Sequence, residues 1–122
     1  MNARAANAYR RVDLESAPKD QILDRLFDRF LADLDLARVA IAARDIKGKS
    51  EAIDHALRIV GELTAALDHA AAPELCANLV ALYDFVSGRL MDANLTVRAT
   101  PLDEASRVMT EIAGAFRGAK GR

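Results

Sequence analysis

The chain has 122 residues, of which 17 are basic and 18 acidic, so its net charge is close to zero. This length fits one domain with a single core, and the balanced charge lacks the basic excess expected of a nucleic-acid-binding protein. The sequence has neither the apolar stretch of a signal peptide nor a run of about eighteen apolar residues, so we expect a cytosolic protein without stable membrane insertion. The single cysteine, Cys76, excludes an internal disulfide, and we expect it to be a small buried hydrophobe.

Apolar residues that recur at helical spacing predict a first helix from about residue 18 to 43. Pro18 lies at a first-turn position, where a helix tolerates proline. The predicted core face comprises Ile22, Leu23, Leu26, Phe27, Phe30, Leu31, Leu34, Ala37 and Ile41. The opposite face mixes both charges, which is typical of a solvated surface, and comprises Asp20, Asp24, Arg25, Asp28, Arg29, Asp33 and Arg38.

A short break with the sequence RDIKGK, at residues 44–49, precedes a second predicted helix that ends near Asp68. The apolar positions of this helix are Ile53, Ala56, Leu57, Val60, Leu63, Ala66 and Leu67. We expect His55 on its solvated side, in a row with Glu51, Arg58 and Glu62.

The third predicted helix, from Pro73 to about Val97, carries more apolar surface than one core can use. Its predicted core stripe comprises Leu75, Leu79, Leu82, Tyr83, Val86, Leu90, Ala93 and Val97. Phe85 lies on one flank of this stripe, and Val80 and Met91 lie on the other. The excess of apolar side chains suggests a partner.

The side of the third helix opposite the core stripe is flat and poorly charged. It carries Ala77, Ala81, Gly88 and Leu95 beside only three charged residues, Glu74, Asp84 and Asp92. Glycine within a helix costs about 1 kcal/mol relative to alanine, so a packing or binding reason for Gly88 is plausible. Two interpretations stay open: another helix binds in a groove here, or good helix formers simply face the solvent.

The fourth predicted helix follows Pro101, with Thr100 as its N-cap and Asp103 three residues later. Its apolar positions are Leu102, Ala105, Met109, Ile112 and Phe116. Helices joined by connections of a few residues bury their stripes against one another as antiparallel neighbours. The sequence therefore predicts an all-α fold, an antiparallel up-and-down four-helix bundle over residues 18–117.

The two ends of the chain lie outside this predicted bundle. In residues 1–17, Tyr9, Val12 and Leu14 are the sizeable apolar side chains, so the segment is either a frayed tail or a cap along a groove of the bundle. Residues 118–122 are expected to form a disordered tail. Composition alone does not choose between the two interpretations of the N-terminal segment.

Catalytic and metal-binding motifs have little support in this sequence. Glu-x-x-His pairs and glycine-rich phosphate loops are absent, and His55, His69 and Cys76 lack the spacing of a zinc site. We therefore expect no cofactor, no metal and no enzyme. The alternative is a histidine phosphotransfer domain, with His55 as phosphoryl acceptor beside Arg58, although Ile59 stands where that family has a small residue.

Several separated motifs, in the same order along roughly residues 7–116, resemble the bacterial flagellar export chaperones of the FliS family. They are Ala8-Tyr9, Ala17-Pro18 through Leu26-Phe27-Asp28, Glu62-Leu63 with Leu67-Asp68, Asn78-Leu79, Leu82-Tyr83-Asp84-Phe85, Arg89-Leu90 and Ala93-Asn94. The chain departs from the family at Ala17, Phe27, the segment HAAAPELC and Phe116. These departures affect capping and loop geometry more than the fold.

The resemblance implies binding of the C-terminal segment of flagellin, which is disordered in the monomer and an amphipathic helix in the filament. It also implies that the segment near Tyr9 covers the binding surface and moves when flagellin arrives, and that the loaded complex docks at the export gate. We expect the flagellin-binding residues to be Tyr9, Asn78, Leu79, Ala81, Tyr83, Phe85, Gly88, Met91, Asn94 and Leu95. For Leu79 and Tyr83 a plain core role is the alternative, and for the two asparagines it is helix capping or solvent exposure. The free protein is expected to be a monomer or a weak homodimer.

Overall fold

Helices make up the regular secondary structure of residues 17–120, the range that the computed structural model describes; side chains are described from residue 20 to 118. The helices are α1 (Ala17–Ala42), α2 (Ile46–Ala65), α3 (Pro73–Thr96) and α4 (Thr100–Lys120). Each helix packs against the next, and α4 returns to pack against α1. Because the connections are short, sequential neighbours are antiparallel, and the predicted four-helix bundle is confirmed.

Large aromatic side chains form the centre of the core. Phe27 and Phe30 from α1, Tyr83 from α3 and Phe116 from α4 are almost completely buried. The rings of Phe27 and Phe116 have centroids 5.8 Å apart with their planes tilted by 46°, a favourable aromatic geometry. This contact joins the first and last helices of the bundle.

Most of the predicted core stripes are buried as expected, with three corrections. Ile22, Leu82 and Val97 were predicted to face the core but are 54%, 40% and 38% exposed. Ile22 and Leu82 lie at the margins of wide stripes whose central residues already fill the core. Val97 comes after the last turn of α3 and has a left-handed backbone with φ of 55°. Its N–H still closes the helix by donating to the carbonyl of Ala93.

The connection between α1 and α2 is shorter than predicted. The break is not RDIKGK, because α2 begins at Ile46 and includes Gly48 and Lys49. Asp45 is the N-cap of α2, and its side-chain Oδ1 accepts a hydrogen bond of 2.9 Å from the N–H of Gly48. A methyl group at position 48 would collide with Oδ2 of Asp45, so the capping carboxylate can occupy this position only beside glycine. At its other end α2 stops at Ala65, earlier than predicted, although Leu67 remains buried.

Charged side chains that were predicted to be solvated instead connect α1 to α4. Nε of Arg117 donates to Oδ1 of Asp24 at 2.9 Å, and its Nη2 donates to Oδ1 of Asp28 at 2.7 Å. Desolvation alone would lower the pKa of Arg117, but the hydrogen bonds and charges of the two aspartates raise it overall. Nε of Arg38 donates to Oδ1 of Asp103 on α4 at 2.8 Å. The predicted solvated face of α1 is therefore partly a contact face.

The bundle extends beyond the predicted limits of 18 and 117 at both ends, and α1 begins at Ala17. The fourth helix extends to Lys120, so the first three residues of the predicted disordered tail are helical. Residues 1–16 and 121–122 lie outside the described range, and with them the predicted cap. Among residues 17–120, no helix combines the length and the apolar character needed to span a bilayer.

We predict opposite effects for alanine at two glycines of α2. Gly61→Ala should raise the free energy of unfolding by about 0.5–1 kcal/mol, because no atom lies within 4 Å of the added methyl group. The free energy of unfolding of Gly48→Ala should be at least about 1 kcal/mol lower than that of Gly61→Ala, because the methyl group displaces the capping carboxylate of Asp45. Urea denaturation of both variants measures the difference, and equal stabilities would contradict the proposed role of Gly48.

Candidate partner-binding surface on α3

The outward side of α3 is a flat strip of small residues that ends in a large apolar side chain. Ala77 and Ala81 are exposed, and Leu95 is 85% exposed. A methyl group added at Gly88 would meet no other atom within 4 Å, so packing within the described bundle does not require glycine there. A second backbone can therefore approach the helix closely along this strip.

Apolar side chains border the strip on both sides. Phe85 is 46% exposed on the side of α4, where the guanidinium of Arg89 lies 5.9 Å from its ring centroid and 3.5 Å from Glu104 of α4. Met91 is 56% exposed on the side of α2. Asn94 lies on the same side of α3 as Met91, and its hydrogen bond with Lys49 shows that this side faces α2.

One large exposed apolar residue of this surface was not among the predicted binding residues. Leu82, which was assigned to the core, is 40% exposed and lies two turns before Arg89, towards α4. Its position at the margin of the predicted core stripe was the feature of the sequence that could have indicated its exposure. We call the combined patch the α3 surface; it comprises Ala77, Ala81, Leu82, Phe85, Gly88, Met91 and Leu95.

Two predicted binding residues lie beneath the α3 surface instead of on it. Leu79 is 5% exposed and Tyr83 is 1% exposed, and both pack in the core cluster. Their burial agrees with the alternative of a plain core role. Since the side chain of a buried tyrosine anchors α3 against the other helices, Tyr83 holds the α3 surface in place.

The two predicted asparagines differ in their surroundings. Asn78 is exposed near the start of α3, whereas Asn94 is partly buried near its end. The backbone carbonyl of Asn94 accepts a hydrogen bond of 2.8 Å from Nζ of Lys49, a lysine that is only 4% exposed. Oδ1 of Asn94 also accepts a hydrogen bond of 3.3 Å from Oγ of Ser50. Asn94 therefore connects the end of α3 to the start of α2. The remaining predicted binding residue, Tyr9, lies outside the described residues.

The histidine of the phosphotransfer alternative lies in the predicted row on α2, where Glu51, Arg58 and Glu62 are exposed and the His55 side chain is 37% exposed. Nδ1 of His55 is hydrogen-bonded to Oδ2 of Asp33, whose side chain is buried between α1 and α2 although it was predicted to be solvated. Arg29 lies 3.8 Å from the other carboxylate oxygen of Asp33. Because this contact engages Nδ1 and not Nε2, it does not by itself decide for or against the phosphotransfer interpretation. Within the described residues, no cluster of three His, Cys, Asp or Glu side chains could hold a metal ion.

Cys76 is the buried hydrophobe that its sequence position predicted. It is fully buried at the start of α3, and its Sγ donates a hydrogen bond of 3.3 Å to the carbonyl of Asp68. Desolvation, with a smaller contribution from the negative charge of Asp68, raises the pKa of the Cys76 thiol. A protonated, buried thiol is a poor nucleophile, so Cys76 stabilises the connection between α2 and α3 without reactive chemistry.

Comparisons with known proteins agree on one family. A family model described as "Flagellar protein FliS" matches residues 1–122. The chain is 33% identical over 120 residues to the flagellar secretion chaperone FliS of Salmonella typhimurium, covering 94% of this chain and 89% of the relative. It is 31% identical over 120 residues to the FliS of Escherichia coli, covering 94% and 88%. Identity to the flagellar secretion chaperone FliSB of Pseudomonas aeruginosa is 31% over 119 residues, covering 94% of both.

We predict that Lys49→Met destabilises the bundle by about 1–3 kcal/mol, because the carbonyl of Asn94 at the end of α3 loses its charged donor. Lys47→Met is the matched control, since Lys47 is exposed on the same turn and its change should stay within about 0.5 kcal/mol. Thermal unfolding followed by circular dichroism measures both. Similar melting temperatures for the two variants would contradict the structural role proposed for Lys49.

We predict that the folded protein resists thiol modification. A disulfide reagent at neutral pH should react with Cys76 many times more slowly in the native protein than in the same protein in denaturant, because the thiol is buried and its pKa is raised. The absorbance of the released leaving group gives both rates. Native and denatured rates of similar size would show that Cys76 is accessible.

Proposed function

The chain belongs to the FliS family of flagellar secretion chaperones, and from this premise we propose that it binds the C-terminal segment of flagellin on the α3 surface. The observation that carries the proposal is the combination of a small-residue strip with exposed apolar side chains on one rigid helix. Ala81 and Gly88 allow a close backbone approach, and Phe85 and Met91 provide walls. This is a helix-in-groove mode of recognition.

The ligand that the family resemblance implies suits such a surface. The flagellin segment is disordered as a monomer and becomes an amphipathic helix in the filament, so its apolar face needs an apolar partner before assembly. The charged residues on this side of α3 are Glu74, Asp84 and Asp92, and Leu95 extends the apolar area to the end of the helix with 85% exposure. Burial of apolar area on both partners is then the main driving force.

Rigidity of the surface favours binding without a large rearrangement of the chaperone. Leu79 and Tyr83 anchor α3 in the core, and the hydrogen bond between Lys49 and Asn94 fixes its end. A preformed site loses little conformational entropy on association, so most of the ordering cost falls on the flagellin segment. That cost lowers the net affinity and keeps the complex releasable.

The proposed complex explains how a chaperone assists export without catalysis. Covering the apolar face of the flagellin segment blocks its polymerisation in the cytosol and prevents premature folding of the subunit. The loaded complex is then delivered to the export gate, and the ligand is released there. We propose no enzymatic step and no cofactor in this cycle. The free protein is a monomer or a weak homodimer whose contact uses the same α3 surface.

We predict that Ala81→Arg abolishes binding of a flagellin C-terminal peptide in isothermal titration calorimetry. An arginine in the middle of the small-residue strip prevents close approach and leaves a charge to be desolvated. Ala65→Arg is the matched control, because Ala65 is exposed at the end of α2, away from the α3 surface. Both variants should melt close to the unchanged protein, since both positions are exposed. Unaltered affinity of the Ala81 variant would place the ligand elsewhere.

A further inference from the structure

Asp84 lies in the middle of the α3 surface, among residues that are small or apolar. Four residues follow one another at steps of four, three and four and therefore share one side of the helix, namely Ala77, Ala81, Asp84 and Gly88. The side chain of Asp84 is exposed there, and the next residue is the exposed Phe85. A helix that docked closely on the small side chains would therefore lie over the carboxylate of Asp84.

The carboxylate of Asp84 takes part in no salt bridge with the side chains that the structure describes, residues 20–118. Asp92, which lies on the same side of α3, is 3.3 Å from Nη1 of Arg89. Arg89 is the one basic residue in the sequence of α3, and it is already engaged by Asp92, by Glu104 and by the ring of Phe85. Asp84 is therefore an exposed charge that a ligand can still pair with.

The position of Asp84 along α3 also sets it apart from the third acidic residue of this side. Glu74 lies in the first turn of α3, where the positive end of the helix dipole favours a negative charge. Asp84 lies near the middle of the helix, beyond the reach of that effect. A ligand that covers Glu74 or Asp92 meets a charge that the protein already stabilises, whereas a ligand that covers Asp84 does not.

Desolvation of Asp84 makes the α3 surface selective. A purely apolar ligand face would remove water from the carboxylate without replacing its hydrogen bonds, which is unfavourable for an unpaired charge. A ligand face that brings a lysine or arginine to the same place forms a charge-assisted hydrogen bond instead. The surface therefore discriminates against an apolar helix that lacks a cation at this position.

We propose that Asp84 pairs with a basic side chain of the flagellin segment and thereby fixes where along α3 that segment binds. Resting on the proposed function, this pairing adds the chemistry that the ligand needs, which is an apolar helical face interrupted by one lysine or arginine. Phe85, Met91 and Leu95 offer apolar contacts at several positions along the helix, so they do not select one alignment. A single charge pair does select one.

The experiment uses the full chain and a flagellin C-terminal peptide in isothermal titration calorimetry at low and high salt. Asp84→Asn should weaken binding by about tenfold at low salt, and the loss should shrink as salt is added. Glu51→Gln is the matched control, because it also removes one exposed negative charge but lies on the side of α2 that faces α1. Its affinity should equal that of the unchanged protein, and both variants should melt as the unchanged protein does.

Variants of the peptide identify the partner of Asp84. Each basic residue of the peptide is replaced in turn by glutamine. One replacement should weaken binding to the unchanged protein by about tenfold, yet cause little further loss in Asp84→Asn, because the pair is already broken there.

The proposal is overturned if Asp84→Asn binds the peptide as tightly as the unchanged protein or more tightly. It is also overturned if Glu51→Gln weakens binding equally, or if no basic residue of the peptide is coupled to Asp84. When Ala81→Arg abolishes binding and Asp84→Asn does not change it, the proposed function stands and the pairing alone fails. A peptide that does not bind the unchanged protein contradicts both.

Discussion

The packing of one face of α3 into the aromatic core determines which of its apolar side chains stay at the surface. Side chains such as Leu79, Tyr83 and Leu90 are buried together because they share one side of the helix. A rotation of α3 that buried Phe85 or Leu95 would expose part of this stripe. The core therefore fixes the α3 surface, and its exposed apolar area is a consequence of a fully used core.

Helix periodicity made the fold and much of the α3 surface predictable from sequence. The stripes of α1 to α4 and the exposure of Phe85, Met91 and Leu95 depend on residues that are close in the chain. The burial of Asp33 and Lys49 was not predictable, because it depends on His55 and Asn94, which are distant in sequence and adjacent only in the bundle. Local patterns report which side of a helix is apolar, but they do not report which charged residue meets a partner on the next helix.

The errors at the ends of the elements have a similar origin. Glycine and lysine at positions 48 and 49 suggested a loop, yet the side chain of Asp45 fills the space beside Gly48 and starts α2 earlier. Leu82 was assigned to the core because its apolar character cannot distinguish the centre of a stripe from its margin. Such residues, apolar but left at the margin, are where surfaces for other proteins arise.

The polar contacts between helices hold the bundle in a position that leaves the α3 surface uncovered. Arg117 connects α4 to Asp24 and Asp28 at the beginning of α1, and Lys49 connects α2 to the end of α3. Because these contacts restrain the helix ends, the apolar surfaces between them remain ordered without being covered. A chaperone that releases its ligand needs this combination, since a rigid surface limits the entropy lost on binding while the ligand's own ordering limits the affinity. In the proposed complex, the affinity is then set mainly by how much helix the flagellin segment must form on binding.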